Sequence, residues 1–130
     1  MYGFTVTLSH ESFDHVVAKV SDALKGEGFG VLSDIDVRRT MRDELGVDMP
    51  AYRILGVCHP QLAHRALKAE PNIGLLLPWN VIVREEAPER MTVGFLNPQT
   101  MVGLASSLEI QAVADEAEQR LRRAAARLYV

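Results

Sequence analysis

Two apolar-alternating segments, Trp79 to Glu85 and Met91 to Leu96, are joined by only Glu86-Ala87-Pro88-Glu89. So short a connection can only reverse the chain, so it predicts an antiparallel hairpin. A parallel pair would need a crossover of a dozen residues or more. The fold must therefore contain an antiparallel sheet. The question becomes what the helical segments around it cover.

Tyr2 to Leu8 has the two-residue period of a half-buried strand, with Tyr2, Phe4, Val6 and Leu8 against Gly3, Thr5 and Thr7. Ser9 can cap the following segment. There Phe13, Val16, Val17, Val20 and Leu24 form one apolar stripe at helical spacing. Gly26 and Gly28 mark its end. A second strand comes next, with Phe29, Val31, Ile35 and Val37 expected on one face and Asp34 and Asp36 on the wet one. Arg38 to Leu45 reads as a short helix closed by Gly46, and Tyr52 to Val57 as a third strand. Pro60 suits the first turn of a helix, because its missing N–H has no partner to lose there. Leu62, Ala63, Ala66 and Leu67 give that helix a buried face, and Pro71 ends it. After the hairpin, Asn97-Pro98 breaks the pattern, and Met101 and Leu104 suggest a helical turn. The last helix, about Leu108 to Leu128, has a stripe of Val113, Ala117, Leu121, Ala124 and Leu128. Glu116–Arg120 and Glu118–Arg122 are paired on its exposed sides. The order is β-α-β-(α)-β-α-β-β-α. It predicts an α+β domain over residues 1–130, with helices on one face of an antiparallel sheet.

Composition narrows the function classes. The 130 residues carry a formal charge of −3 and only 6% aromatics, a poor basis for phosphate-backbone attraction or base stacking, so no nucleic-acid partner is expected. Arg38, Arg39 and Arg42 form a local cluster, read as a solvated helix face. No apolar run approaches the length of a membrane span; the longest is Ile73 to Pro78. The first residues look like a strand rather than a secretion signal. Cys58 is the only cysteine, which excludes an intrachain disulfide and, with the missing signal, favours a cytoplasmic setting. The common phosphate-loop, dinucleotide, zinc-protease and nucleophile-elbow motifs are absent. Gly26-x-Gly28-x-Gly30 runs from helix to strand, the reverse of a dinucleotide site.

One neighbourhood remains chemically interesting. Cys58 ends a strand just before the helix that Pro60 opens, where amide dipoles can stabilise a thiolate and His59 could add charge. A third group to orient the imidazole is not evident. Cys58, His59 and His64 could also be read as metal ligands, although adjacent ligands in extended chain point apart. The bland reading is a buried structural cysteine. His10 and His15, near the first helix, are expected at the surface. Trp79 and Asn80 either anchor a strand entry or line a pocket near Cys58.

The stretch Tyr52-Arg-Ile-Leu-Gly-Val-Cys58-His-Pro60, then Ala63 to Leu67, then Leu75-Leu-Leu-Pro78-Trp79-Asn80-Val81, resembles the bacterial and archaeal family known as domain of unknown function 302. Gly28-Phe29-Gly30-Val31-Leu32, Asp36-Val37 and Phe95-Leu96-Asn97-Pro98 fit the same pattern. The resemblance implies a TATA-binding-protein-like fold, a curved antiparallel sheet with helices across one face, often homodimeric. It brings no assigned reaction. Members commonly have a cysteine matched here by Cys58, and many have a second where this chain has Trp79. His59 stands where asparagine, a better helix cap, is frequent. The expected function is a non-catalytic, homodimeric domain binding a small ligand or protein partner, with Cys58, His59, Pro60, Trp79 and Asn80 as the site and no cofactor specified. The alternatives are a thiol enzyme or redox protein using Cys58, or metal or haem binding through Cys58 with His59 or His64.

Overall fold

The computed structural model describes residues 2–105 and 107–129. Its strands are β1 (Gly3–Ser9), β2 (Gly30–Asp36), β3 (Tyr52–Cys58), β4 (Trp79–Ala87) and β5 (Arg90–Leu96). The helices are α1 (Phe13–Gly26), α2 (Val37–Leu45), α3 (Pro60–Ala69) and α4 (Leu108–Arg127), with 3-10 turns at Pro71–Leu76 and Pro98–Met101. The sheet order is β1-β5-β4-β3-β2, and every pair is antiparallel. The expected hairpin is β4–β5, tighter than the sequence suggested because Ala87 pairs with Arg90 across a bulge.

One face of the sheet carries the core. Val6 and Leu8, then Met91, Val93 and Phe95, then Trp79, Val81 and Val83, then Leu55 and Val57 all point to it and are buried. Val16, Val20 and Leu24 of α1, Leu62 and Ala66 of α3 and the Ile110-to-Leu128 stripe of α4 close over them. Thr5, Thr7 and Asn80 lie on the other face and are exposed. The charge pairs expected on α4 form at 3.1 Å for Glu116–Arg120 and 2.8 Å for Glu118–Arg122.

Two local expectations are corrected. Ser12, not Ser9, caps α1: its Oγ accepts the His15 N–H, while Ser9 ends β1. In β2 a bulge between Val31 and Ser33 inserts Leu32, which flips the alternation. Val31 pairs with Val57 and Asp34 with Leu55 on the core side, whereas Ile35 pairs with Ile54 on the open side. Val37 is not in the strand at all; it starts α2. Asp34 and Asp36 thus lie beyond the helices on the core side, where Arg53 bridges both.

Glu27, just past α1, is a buried carboxylate held by Arg123 at 2.9 Å and Arg127 at 2.8 Å, while Arg120 donates to its carbonyl. These contacts staple the end of α1 to α4. Both guanidinium groups are half-exposed and can return to water, so the loss falls mainly on the carboxylate's own hydrogen bonds. Glu27→Ala is expected to lower unfolding free energy by about 1–3 kcal/mol, measured by urea titration. An unchanged midpoint would mean that the staple adds nothing to stability.

Candidate functional site

β3 ends at Cys58 and α3 begins at Pro60, so His59 is the hinge between strand and helix. Its extended backbone suits an N-cap, and its Nδ1 accepts the Leu62 N–H at 3.4 Å. Accepting that bond requires Nδ1 without a proton. The ring is buried, edge-on to Phe29 at 5.6 Å. Its other side rests on Gly28, where φ is +88° and a Cβ would lie 2.9 Å from the imidazole. Gly28 is thus required twice, for its left-handed backbone and for the close approach of the ring. Burial pushes the His59 pKa below its ordinary 6.5; Arg120 adds to the shift and Glu116 opposes it. His59 therefore serves as a neutral helix cap rather than adding a charge.

Phe29 continues the contact chain to Trp79, ring edge to face at 6.2 Å. Trp79 opens β4 and is fully buried, opposite Val57. The Leu77–Pro78 bond before it is cis. Among the described residues, the Trp79 Nε1–H has no hydrogen-bond partner. Asn80, the next residue, points to the open face of the sheet and is exposed.

A cleft of about 260 Å³ lies between these elements. Val57, Cys58 and Trp79 form its floor at the strand ends. Ala63 and Leu67 of α3, Gly74, Leu77 and Pro78, and Leu32 of the β2 bulge also line it. The lining is almost wholly apolar, and the Cys58 thiol is its one reactive group. Burial pushes that thiol above its ordinary 9.0. At neutral pH it is protonated, the opposite of an activated nucleophile.

Of the five expected site residues, the cleft brings together Cys58 and Trp79. His59 lies beside them but is committed to its cap and to Phe29. Pro60 occupies the first turn of α3, exposed, and Asn80 is on the far face of the sheet. His64 sits on an exposed side of α3, and His10 and His15 are also exposed. Among the described residues no group of three His, Cys, Asp or Glu side chains could hold a metal ion. Leu32, Leu67 and the 73–78 turn were not expected at the site.

A five-stranded open antiparallel sheet with helices over one face, and an apolar cleft at one end of its central strands, defines this as an α+β fold. A crystal structure of an uncharacterized conserved protein DUF302 from Bacillus stearothermophilus matches it with a TM-score of 0.87 and 29% sequence identity, over 98% of each chain. The model of the family described as domain of unknown function DUF302 matches residues 4–128, and the chain belongs to that family. No curated protein matches.

Because the folded pKa of His59 lies below the unfolded one, the unfolded chain takes up the proton first as pH falls through about 6.5. The stabilisation is complete above that pH and is lost as pH drops towards the folded value. Urea titrations from pH 7.5 to 5 are expected to show a decline in stability that His59→Asn, which keeps a cap but does not titrate, lessens. Parallel declines in both proteins would mean that other groups cause it. His59→Ala is expected to cost about 2 kcal/mol or more at pH 7.5, from the lost cap and the cavity against Phe29.

Proposed function

We propose that this chain is a non-catalytic binding domain whose cleft at Cys58 and Trp79 receives a small apolar group, such as a short hydrocarbon chain or a single ring. The observation that supports this best is the thiol itself. Cys58 stands among Val57, Ala63, Leu67 and Leu77 with its pKa raised, and the adjacent imidazole is turned to Phe29 and Gly28. A nucleophilic or redox thiol needs the reverse, a lowered pKa and an oriented base. The cleft is smaller than the usual site for a drug-sized ligand, which argues for a fragment of a molecule rather than a whole cofactor. The formal charge of −3 speaks against nucleic acid despite the resemblance to a DNA-binding fold class. No helix among the described residues is long and apolar enough to cross a membrane. The family resemblance extends the proposal to a chain paired with a second copy and working in the cytoplasm.

The single tryptophan lines the cleft and is a built-in reporter. Titration with 1-hexanol is expected to change Trp79 fluorescence saturably, with the charged hexanoate far weaker. Leu67→Asp, on the half-open wall, is expected to weaken hexanol binding about tenfold or more. Linear, non-saturating changes with both compounds would sink the apolar-site reading.

The thiol separates the catalytic rival. Alkylation of Cys58 by iodoacetamide is expected to be slower than that of a free cysteine at pH 7 and to keep rising beyond pH 9. A plateau below pH 7 would mean an activated thiolate and would favour a thiol-dependent enzyme.

A further inference from the structure

The helix that lines the cleft is held at its start by a group that can take up a proton. Ala63 lies in the first turn of α3 and Leu67 one turn later, and both line the cleft. Two bonds tie that turn to His59. Its carbonyl accepts the Ala63 N–H at 2.9 Å, and its Nδ1 accepts the Leu62 N–H at 3.4 Å. Leu62 is buried, so water cannot take over its amide while the turn stays in place. The other three helices are capped through oxygen, by Ser12, Asp36 and Ser107. An oxygen cap stays an acceptor near neutral pH, whereas an imidazole nitrogen that gains a proton becomes a donor.

Protonation therefore reverses the sense of this contact. Nδ1–H and the Leu62 N–H would face each other as two donors. A positive imidazole would also stand at the N-terminus of α3, where the helix dipole opposes it. The carboxylates packed against the hinge are already engaged. On α4, Glu116 and Arg120 are the charged groups that act on His59. Glu116 is bonded to Arg120 at 3.1 Å and to Arg65 of α3 at 3.4 Å. In the turn after α1, the Glu27 carboxylate is taken by Arg123 and Arg127. The Cys58 thiol, at the end of β3, is protonated and brings no charge.

We propose that His59 is a proton-operated latch on the cleft: a proton on Nδ1 frees the first turn of α3, and the apolar group held against Ala63 and Leu67 is released. This rests on the binding reading above and adds its regulation. Phe29 gives the ring a second route to the cleft. It meets the imidazole at 5.6 Å and Trp79, in the cleft lining, at 6.2 Å between ring centroids. The coupling is reciprocal, so a ligand that needs the closed turn makes His59 harder to protonate.

The test titrates 1-hexanol, which is uncharged throughout, into the full chain at pH 7.5 and pH 5 with Trp79 fluorescence as the readout. The wild type is expected to bind hexanol several-fold more weakly at the lower pH, without losing its circular dichroism signal. His59→Asn, which keeps a cap but does not titrate, is expected to change little between the two. His10, His15 and His64 are common to both proteins, so the difference belongs to His59. In the wild type alone, NMR of the His59 ring is expected to show its titration moved to lower pH by saturating hexanol. Equal affinity at the two pH values, an equal fall in both proteins, or a His59 titration that hexanol leaves in place overturns the latch alone. A fall in affinity that only accompanies global unfolding overturns it too. No saturable binding at either pH overturns the latch and the binding reading together.

Discussion

The contact chain from His59 through Phe29 to Trp79 is the constraint on which this end of the molecule depends. It joins three places far apart in sequence: the hinge between β3 and α3, the turn after α1, and the start of β4. Each member limits the next. Trp79 fills the end of the sheet; Phe29 needs both rings to be fully covered; His59 can cap α3 only where Phe29 and Gly28 hold its ring. The angle at which α3 leaves the sheet is set by these contacts, and with it the wall that Ala63 and Leu67 present to the cleft.

The same arrangement sends the side chains of Cys58 and His59 in different directions. Neighbouring residues in extended chain face opposite ways. Here Cys58 turns to the cleft and His59 to the aromatic packing, with its Nδ1 engaged by the Leu62 N–H. The two pKa shifts agree with this division, since burial favours the neutral form of each and pushes the thiol up and the imidazole down. A site that keeps both of its ionisable groups neutral is suited to apolar contact.

Much of the fold was legible because it rests on local rules. Four residues between two alternating segments allow only a hairpin, and the Val113-to-Leu128 stripe allows only a helix packed along one side. What failed was also local, but silent. Nothing in Val31-Leu32-Ser33 announces a bulge, and one inserted residue moved Ile35 to the opposite face from Val31. Ser9 and Ser12 were both competent caps, and the chain's path after β1, where His10 takes a positive φ and donates to the Glu89 carbonyl, decides between them. At the site, Trp79 beside Cys58 was readable from the strand ends. Asn80 follows Trp79 in the strand and therefore faces the other side of the sheet. Leu32, Leu67 and Leu77 were not readable, because they meet only through the sheet order and the tilt of α3.

The remaining anomaly is energetic. The core of this chain is complete without residues 30–51: α1, α3 and α4 already cover the sheet face from β1 to β3. A disordered connection between Phe29 and β3 would cost that core little. The sequence instead specifies an ordered strand, a capped helix and a left-handed stop at Gly46. Ordering the backbone costs about 1–2 kcal/mol per residue. Backbone pairing of β2 with β3 and the bridges from Arg53 to Asp34 and Asp36 offset part of that for the strand. α2 offsets less of its own cost, through its caps at Asp36 and Gly46 and its contacts with β3.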